Sequence, residues 1–142
     1  MSKIDISEEM IRRLIAAARE GQKYSYSPYS GFKVGAAVLG TDGMIYTGCN
    51  IENVSYGLTN CAERTAIFKM VSSGCRTFKA LALVCGEKPQ DSAPCGACRQ
   101  VMSEFAEDAS AVPVIMAGNS GDYCTMTVQE LLPGAFLSFQ PN

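Results

Sequence analysis

Apolar residues near the start of the chain recur at the spacing of an α-helix. Four of them lie three or four residues apart and would share one helical face: Ile11, Leu14, Ile15 and Ala18. The residues before them, Asp5-Ile6-Ser7-Glu8, resemble a capping box, in which side chains satisfy the free N–H groups of a helix start. Further along, the pattern again favours helices. The predicted helices span residues 7–21, 61–74 and 95–105, with a short one over residues 128–132.

Shorter apolar stretches bounded by turn residues predict β-strands. Thr41-Asp42-Gly43 is typical of a hairpin turn that joins two of them. The stretch at residues 78–85 is almost continuously apolar, which indicates a central strand covered on both faces of a sheet. The predicted strands span residues 32–39, 44–49, 78–85, 112–116 and 123–127.

The order of these elements favours the α/β class. A helix and a hairpin, followed by helices that alternate with strands, predict a mixed five-stranded sheet between helices, which is a three-layer α/β/α arrangement. The length of 142 residues suits one domain with a real core, so we expect residues 1–142 to form a single domain. Residues 50–60 and 86–93 are predicted loops, and the first is polar and irregular, as functional loops often are.

Charge and composition narrow the classes of partner. The formal net charge is −2, and no run of basic residues is longer than Arg12-Arg13, so we expect no nucleic-acid partner. No apolar stretch approaches the length of a membrane span, and the first residues lack an apolar signal region. We therefore expect a cytoplasmic protein, in a compartment where thiols stay reduced.

Cysteine is the residue type that carries the clearest chemistry. The chain has seven cysteines and no histidine, and an odd count argues against a disulfide framework. Two motifs stand out, Cys61-Ala62-Glu63 and Pro94-Cys95-Gly96-Ala97-Cys98. Together they offer three thiolates for one zinc ion and leave a fourth position for water. A carboxylate two residues after the first ligand could move protons beside that water.

Both motifs fall at predicted helix starts, where the helix dipole stabilises thiolates. Cys95 and Cys98 are three residues apart and would share one helical face, so both can bind the same ion. Three thiolates leave an excess of negative charge around one zinc ion. Arg64 and Arg99 each directly follow a motif residue and could offset this charge, but their spacing leaves open which of them does.

The two motifs match the signature of zinc-dependent deaminases, in which Cys can replace the first His of His-x-Glu…Pro-Cys-x-x-Cys. Neighbouring residues narrow the match, and together the chain resembles the small tetrameric cytidine deaminases. The similar segments are Pro28-Tyr29-Ser30, Val34-Gly35-Ala36-Ala37, Asn50-Ile51-Glu52-Asn53, Cys61-Ala62-Glu63-Arg64-Thr65-Ala66-Ile67, Pro94-Cys95-Gly96-Ala97-Cys98-Arg99-Gln100-Val101-Met102 and Val128-Gln129-Glu130-Leu131-Leu132-Pro133.

The resemblance implies hydrolysis of cytidine and deoxycytidine to uridine and deoxyuridine with release of ammonia, as part of pyrimidine salvage. One Zn²⁺ per chain would be held by Cys61, Cys95 and Cys98, and its water would attack carbon 4 of the base. Glu63 would act as the general acid–base that carries protons from water to the ring and to the departing amine.

The resemblance also implies a set of substrate-binding residues: Phe32, Asn50, Glu52, Tyr56, Ala62 and Phe136. Asn50 and Glu52 would hold the ribose 3′-hydroxyl, and Phe32 would pack on the base. Tyr56 and Phe136 would lie where neighbouring subunits meet, because the family forms homotetramers with shared active sites. Simpler interpretations are core packing for the two phenylalanines and loop capping for Asn50 and Glu52.

Three alternatives to a cytidine deaminase stay open at this point. A blasticidin-S-type deaminase shares the zinc motif, although Asn50-Ile51-Glu52-Asn53 favours a ribose diol. A non-catalytic zinc-binding module would need a fourth protein ligand, with Cys49 or Cys124 as candidates. A thiol redox protein would use Cys95-Gly96-Ala97-Cys98 without a metal.

Overall fold

One mixed β-sheet organises residues 6–138, the part of the chain that the computed structural model describes. Its five strands are β1 (Gly35–Gly40), β2 (Ile45–Cys49), β3 (Phe78–Val84), β4 (Pro113–Ala117) and β5 (Tyr123–Thr127). Four helices pack around it or extend from it: α1 (Glu8–Gln22), α2 (Ala62–Ser72), α3 (Gly96–Phe105) and α4 (Val128–Leu131). Single 3₁₀ turns, which the apolar pattern did not predict, occur in two loops at Tyr56–Leu58 and Pro89–Ser92.

The strands lie side by side in the order β2-β1-β3-β4-β5. β1 is antiparallel to both β2 and β3, so β2 and β3 run in the same direction. β3 pairs with β4 in parallel, and β5 returns antiparallel to β4. The predicted mixed five-stranded sheet is therefore confirmed, with the apolar strand β3 at its centre.

Alternate side chains of the sheet enter two different cores, as the pleat requires. On one face Ala37 and Leu39 of β1 pack in a cluster with α1. On the other face Ala36 and Val38 pack in a cluster with α2 and α3. Because helices cover both faces, the predicted three-layer α/β/α arrangement is confirmed.

Most predicted boundaries lie within one residue of the observed ones; α2 ends two residues early, at Ser72, and β1 shows the largest difference. The predicted strand began at residue 32, but β1 begins at Gly35. Phe32 and Val34 are instead held by the side chain of Asn50, whose Nδ2 donates to Phe32 O (2.7 Å) and whose Oδ1 accepts from Val34 N (2.9 Å). These two hydrogen bonds to Asn50 take the place of strand pairing at Phe32 and Val34, so the strand begins later than predicted.

The first helix also begins differently from its predicted capping box. Ser7 is its N-cap, and Ser7 Oγ accepts a hydrogen bond from Met10 N at 3.1 Å. Asp5, the first residue of the predicted box, lies outside the described residues. Within residues 6–138, no helix combines the length and apolar character needed to cross a membrane.

The start of α2 is set by a close approach between this helix and β2 at Gly48. A Cβ atom at Gly48 would lie 2.5 Å from Ala66 N and 2.6 Å from Ala62 O, well inside van der Waals contact. Only glycine therefore allows the helix and strand to pack at this separation. The first turn of α2 carries Cys61 and Glu63, so this contact also determines where those residues lie.

Replacing Gly48 by alanine is expected to lower the free energy of unfolding by about 1–3 kcal/mol, the usual cost of overpacking a well-filled core. Urea unfolding at one fixed protein concentration measures this change. Gly57→Ala is the control, because a Cβ at Gly57 meets no atom within 4 Å. Equal unfolding midpoints for the two variants would contradict the close-packing explanation.

Candidate metal centre

Three cysteine sulfurs meet where α2 and α3 begin. Cys61 is the N-cap of α2, Cys95 is the N-cap of α3, and Cys98 lies in the first turn of α3. Their sulfur atoms all lie within 4.8 Å of one another, and Cys61 Sγ is 3.8 Å from Cys95 Sγ. A tetrahedral zinc with Zn–S bonds of about 2.3 Å separates its sulfurs by about 3.8 Å. The cluster therefore fits one zinc ion.

The two N-cap cysteines leave their sulfurs available to a ligand. Neither Cys61 nor Cys95 uses its side chain to cap its own helix. Each carbonyl instead starts its helix, by accepting from Thr65 N and from Arg99 N, both at 3.0 Å. Helix N-termini carry partial positive charge, so both thiolates lie in a favourable field.

Among the described residues, the metal-binding cluster contains three ligands and no fourth. Cys49 and Cys124, the candidates for a closed zinc module, lie outside it: Cys49 is buried elsewhere and Cys124 is exposed on β5. The arrangement matches a catalytic zinc site, in which three protein ligands leave one position for a non-protein group.

Arg64 is the arginine that contacts the cluster. Its Nη2 donates to Cys61 Sγ at 3.3 Å, whereas its Nε is buried without a partner among residues 6–138. Hydrogen bonds from Cys98 and then from Arg64 lower the pKa of Cys61 to about 5. The pKa of Cys98 is raised, because its thiol donates to Cys61 and is also buried.

Arg99 has a different, architectural set of contacts. Its Nε donates to Pro94 O at 2.8 Å, and its Nη1 donates to Leu131 O at 3.0 Å. It therefore links the segment before Cys95 to the end of α4. The charge next to the sulfurs comes from Arg64.

Glu63 is a buried carboxylate beside the sulfur cluster. It lies in the first turn of α2, is only 4% exposed and faces a cavity. Burial raises the pKa of Glu63 to about 7, and the negative charge of Cys61 adds to the effect. A carboxyl group with such a pKa can gain and lose a proton near neutral pH.

A cavity of about 310 Å³ opens beside the cluster, and most of its surface is apolar with a few polar groups. Small-molecule sites have this character and volumes of roughly 300–1,000 Å³. The predicted site residues in its wall are Phe32, Asn50, Glu52, Tyr56, Cys61, Ala62, Glu63 and Cys95.

Asn50 and Glu52 anchor the loop that forms one wall of this cavity. Asn50 Oδ1 accepts from Ser25 Oγ and from Val34 N, and its Nδ2 donates to Phe32 O.

Glu52 Oε1 accepts from Tyr29 N (3.0 Å) and Ser30 N (3.1 Å), and Oε2 accepts from Ser30 Oγ. The bond from Ser30 Oγ is the main reason that the pKa of Glu52 is lowered, which keeps this carboxylate ionised. Loop capping is therefore present at Asn50 and at Glu52, and both side chains also face the cavity.

The predicted aromatic contacts lie at the surface of the chain. Phe32 is 51% exposed and Tyr56 is 59% exposed, both in the cavity wall. Phe136 is 67% exposed and lies outside its own chain's cavity, with its carbonyl accepting from Gln100 Nε2 at 2.8 Å. Core packing within the chain is thus the wrong interpretation for both phenylalanines.

The cavity wall also contains Val34, expected beside Phe32, and residues that the motifs did not predict: Ser30, Thr59, Leu83, Cys85, Asp91 and Ala93. For two of them, the sequence signal that could have found them was their position at the end of the predicted central strand. Leu83 and Cys85 lie at the carboxyl end of the central strand β3, and ligands of open α/β sheets bind outside these strand ends.

Comparison with known proteins gives one consistent family. The model of the cytidine and deoxycytidylate deaminase zinc-binding region matches residues 8–116. A cytidine deaminase of Sporosarcina psychrophila is 53% identical over 126 residues, which cover 89% of this chain and 90% of the relative. One of Halalkalibacterium halodurans is 48% identical and covers 96% of this chain and 99% of the relative.

Solved structures agree with the sequence comparison. The crystal structure of cytidine deaminase from Burkholderia pseudomallei has a TM-score of 0.83 and 44% identity, and the match covers 92% of this chain and 100% of that one. The enzyme from Mycobacterium tuberculosis has a TM-score of 0.74 and 39% identity, over 93% and 98% of the two chains.

Replacing any one of Cys61, Cys95 and Cys98 by serine is expected to remove most of the bound zinc. A serine hydroxyl stays protonated near neutral pH and is a much weaker zinc ligand than a thiolate. Elemental analysis of dialysed protein measures zinc per chain. Cys124→Ser is the matched control, since Cys124 is exposed and outside the cluster. A cluster variant with wild-type zinc content would exclude its cysteine from the ligand set.

Proposed function

The chain belongs to the cytidine and deoxycytidylate deaminase family, and we propose that it converts cytidine and deoxycytidine to uridine and deoxyuridine by hydrolysis, with release of ammonia. The resemblance of its motifs to cytidine deaminases is thereby confirmed. One observation carries the proposal. A buried carboxylate, Glu63, adjoins a three-thiol cluster in the wall of a cavity of small-molecule size.

The metal centre of the proposed enzyme is one zinc ion. Cys61, Cys95 and Cys98 would hold it, and the sulfur separation of 3.8 Å supports this assignment. When bound, zinc supplies Lewis acidity, which makes water a usable nucleophile near neutral pH. Arg64 would offset the excess negative charge through its bond to Cys61 Sγ.

Glu63 is the proposed general acid–base. Hydrolysis adds water at carbon 4 of the base, breaks the bond from carbon 4 to the amino nitrogen and leaves a carbonyl group. Glu63 would take one proton from the water and deliver it to ring nitrogen 3, and would then take the second proton from the hydroxyl added at carbon 4 and deliver it to the departing amine. Its burial beside the cluster and its pKa of about 7 support this role, since each transfer needs a group that both accepts and donates.

Polar groups across the cavity are suited to a ribose. Both acceptor positions of Asn50 Oδ1 are in use, so Asn50 has only an Nδ2 hydrogen to offer a substrate hydroxyl. Glu52 is ionised and keeps acceptor capacity on Oε2. A sugar hydroxyl could therefore accept from Asn50 and donate to Glu52, which favours a nucleoside over blasticidin S.

Two further wall residues would contact the base. Phe32 presents an exposed ring at the cavity, which supports stacking on a pyrimidine. Ala62 is in the first turn of α2, where backbone N–H groups have no partner within the helix. Its N–H is our proposed donor to a polar edge of the base.

We further propose a single-domain cytoplasmic enzyme without a nucleic-acid partner. The helices α1, α2 and α3 all pack on one sheet, which supports one domain over residues 1–142. Three ligand thiols must stay reduced to bind zinc, and the cytoplasm keeps them so. The net charge of −2 favours a free nucleoside over a polyanion.

Ammonia release from cytidine tests the proposed activity. Wild-type protein is expected to release it, and Glu63→Gln is expected to lower the rate by about 10²–10⁴-fold, the usual contribution of a general acid–base. The amide cannot carry protons but has nearly the same shape, so zinc content should not change. Glu20→Gln is the control, because Glu20 is exposed and its one ion pair within residues 6–138 is with Lys23.

Blasticidin S is the comparison substrate in the same assay. Release from cytidine alone supports the nucleoside deaminase, and release from blasticidin S alone supports the alternative. Zinc-loaded wild-type protein that acts on neither substrate would contradict both, and a fully active E63Q variant would remove Glu63 from the mechanism.

We also propose that the enzyme is a homotetramer with shared active sites. Large apolar side chains are exposed in the segments that form the cavity wall and next to Phe136, and a monomer rarely leaves so many uncovered. They include Tyr29, Phe32, Val54, Tyr56, Leu58, Phe136 and Leu137. Phe136 is exposed and does not line its own chain's cavity, so it is available to a neighbour's.

Light scattering at micromolar concentration tests the assembly. The expected mass is about four times the 15.2 kDa of one chain, because covering the exposed apolar side chains favours association. A mass of 15.2 kDa at this concentration would exclude the tetramer and leave each cavity to a single chain.

A further inference from the structure

Ser92 is a fully buried polar residue in the loop that leads to the second cysteine motif. Its side chain is 0% exposed, which would be unfavourable for an unpaired hydroxyl. Its Oγ donates to Ala117 O at 2.7 Å and accepts from Cys85 N at 3.2 Å. Cys85 Sγ also lies 3.3 Å from Ser92 Oγ, and its one hydrogen is shared between this oxygen and Asp91 O at 3.1 Å.

These contacts join the loop to the ends of two strands. Val84 is the last residue of β3 and pairs with Ala117, the last residue of β4. Cys85 follows directly, at the point where regular pairing of the parallel strands stops. Ser92 therefore bonds to residues at the carboxyl ends of both β3 and β4. One of these residues, Cys85, lies in the cavity wall.

Only two residues separate Ser92 from the ligand Cys95. One of them is Pro94, whose ring restricts its backbone, and Pro94 O is also held by Arg99 Nε at 2.8 Å. A displacement of Ser92 would thus be passed on to Cys95 rather than absorbed by a flexible linker. Cys61 and Cys95 are both N-caps, of α2 and α3, and Cys98 lies inside α3, so Cys95 is the ligand that the segment from Ser92 reaches directly.

The third thiolate must match the position of the other two within a few tenths of an ångström, because a zinc site tolerates little variation in its bond lengths. On the basis of the metal site proposed above, we propose that Ser92 is a positioning residue that ties Cys95 to the carboxyl ends of β3 and β4 and so tightens zinc binding.

Ser92→Ala tests this role, since it removes one oxygen atom and leaves the rest of the loop intact. The zinc dissociation constant, measured by competition with a chromophoric chelator, is expected to rise about tenfold, the lower end of the effect of groups that orient metal ligands. The cobalt(II)-loaded protein should also show altered thiolate-to-cobalt absorption, because this absorption depends on the geometry of the sulfurs.

Ser103→Ala is the matched control. Ser103 is also a buried serine on the same part of the chain, and its Oγ donates to Arg99 O at 2.9 Å within α3. It is expected to lower the urea unfolding midpoint without changing the cobalt spectrum. Equal zinc dissociation constants and identical spectra for both variants and the wild type would overturn the positioning role. Wild-type protein that binds no zinc would instead overturn the metal site itself, and the positioning role with it.

Discussion

Mutual repulsion among three thiolates is the physical constraint that the rest of the site must offset. Cys61, Cys95 and Cys98 can hold one ion only if their sulfurs stay within a few ångströms, where like charges are unfavourable without compensation. Two helix N-termini and the guanidinium of Arg64 provide that compensation. The fold makes it available because α2 and α3 each follow one of two strands, β2 and β3, that run in the same direction, so both helices begin at one edge of the sheet.

Two carboxylates in the cavity beside this cluster, Glu63 and Glu52, have pKa values shifted in opposite directions. Glu63 lies in the first turn of α2, yet it is only 4% exposed, and this burial raises its pKa to about 7. The nearby carboxylate Glu52 has the opposite behaviour, because the hydroxyl and N–H groups of its loop stabilise its charged form. Two acids in one cavity are thereby suited to different tasks, one to moving protons and one to accepting hydrogen bonds.

Two polar side chains of the cavity wall are also structural anchors. Asn50 and Glu52 hold residues 25–34 in place, and they retain only limited capacity for a substrate. A side chain whose orientation is already fixed loses little entropy when a ligand binds. The aromatic residues Phe32 and Tyr56 complete this wall, and both are more than half exposed in the single chain.

The sequence by itself determined the types and order of the elements, because apolar spacing reflects which faces are buried. It also predicted that Cys61, Cys95 and Cys98 would come together, with Glu63 beside them, because both motifs fall at helix starts. Local spacing could not distinguish Arg64 from Arg99, which follow their motifs in the same way; packing against α4 turns Arg99 to Leu131 O. Nor could it show that Asn50 removes Phe32 from a strand, or that Ser92 joins two strand ends. These hydrogen bonds link residues far apart along the chain, so only the tertiary structure decides them.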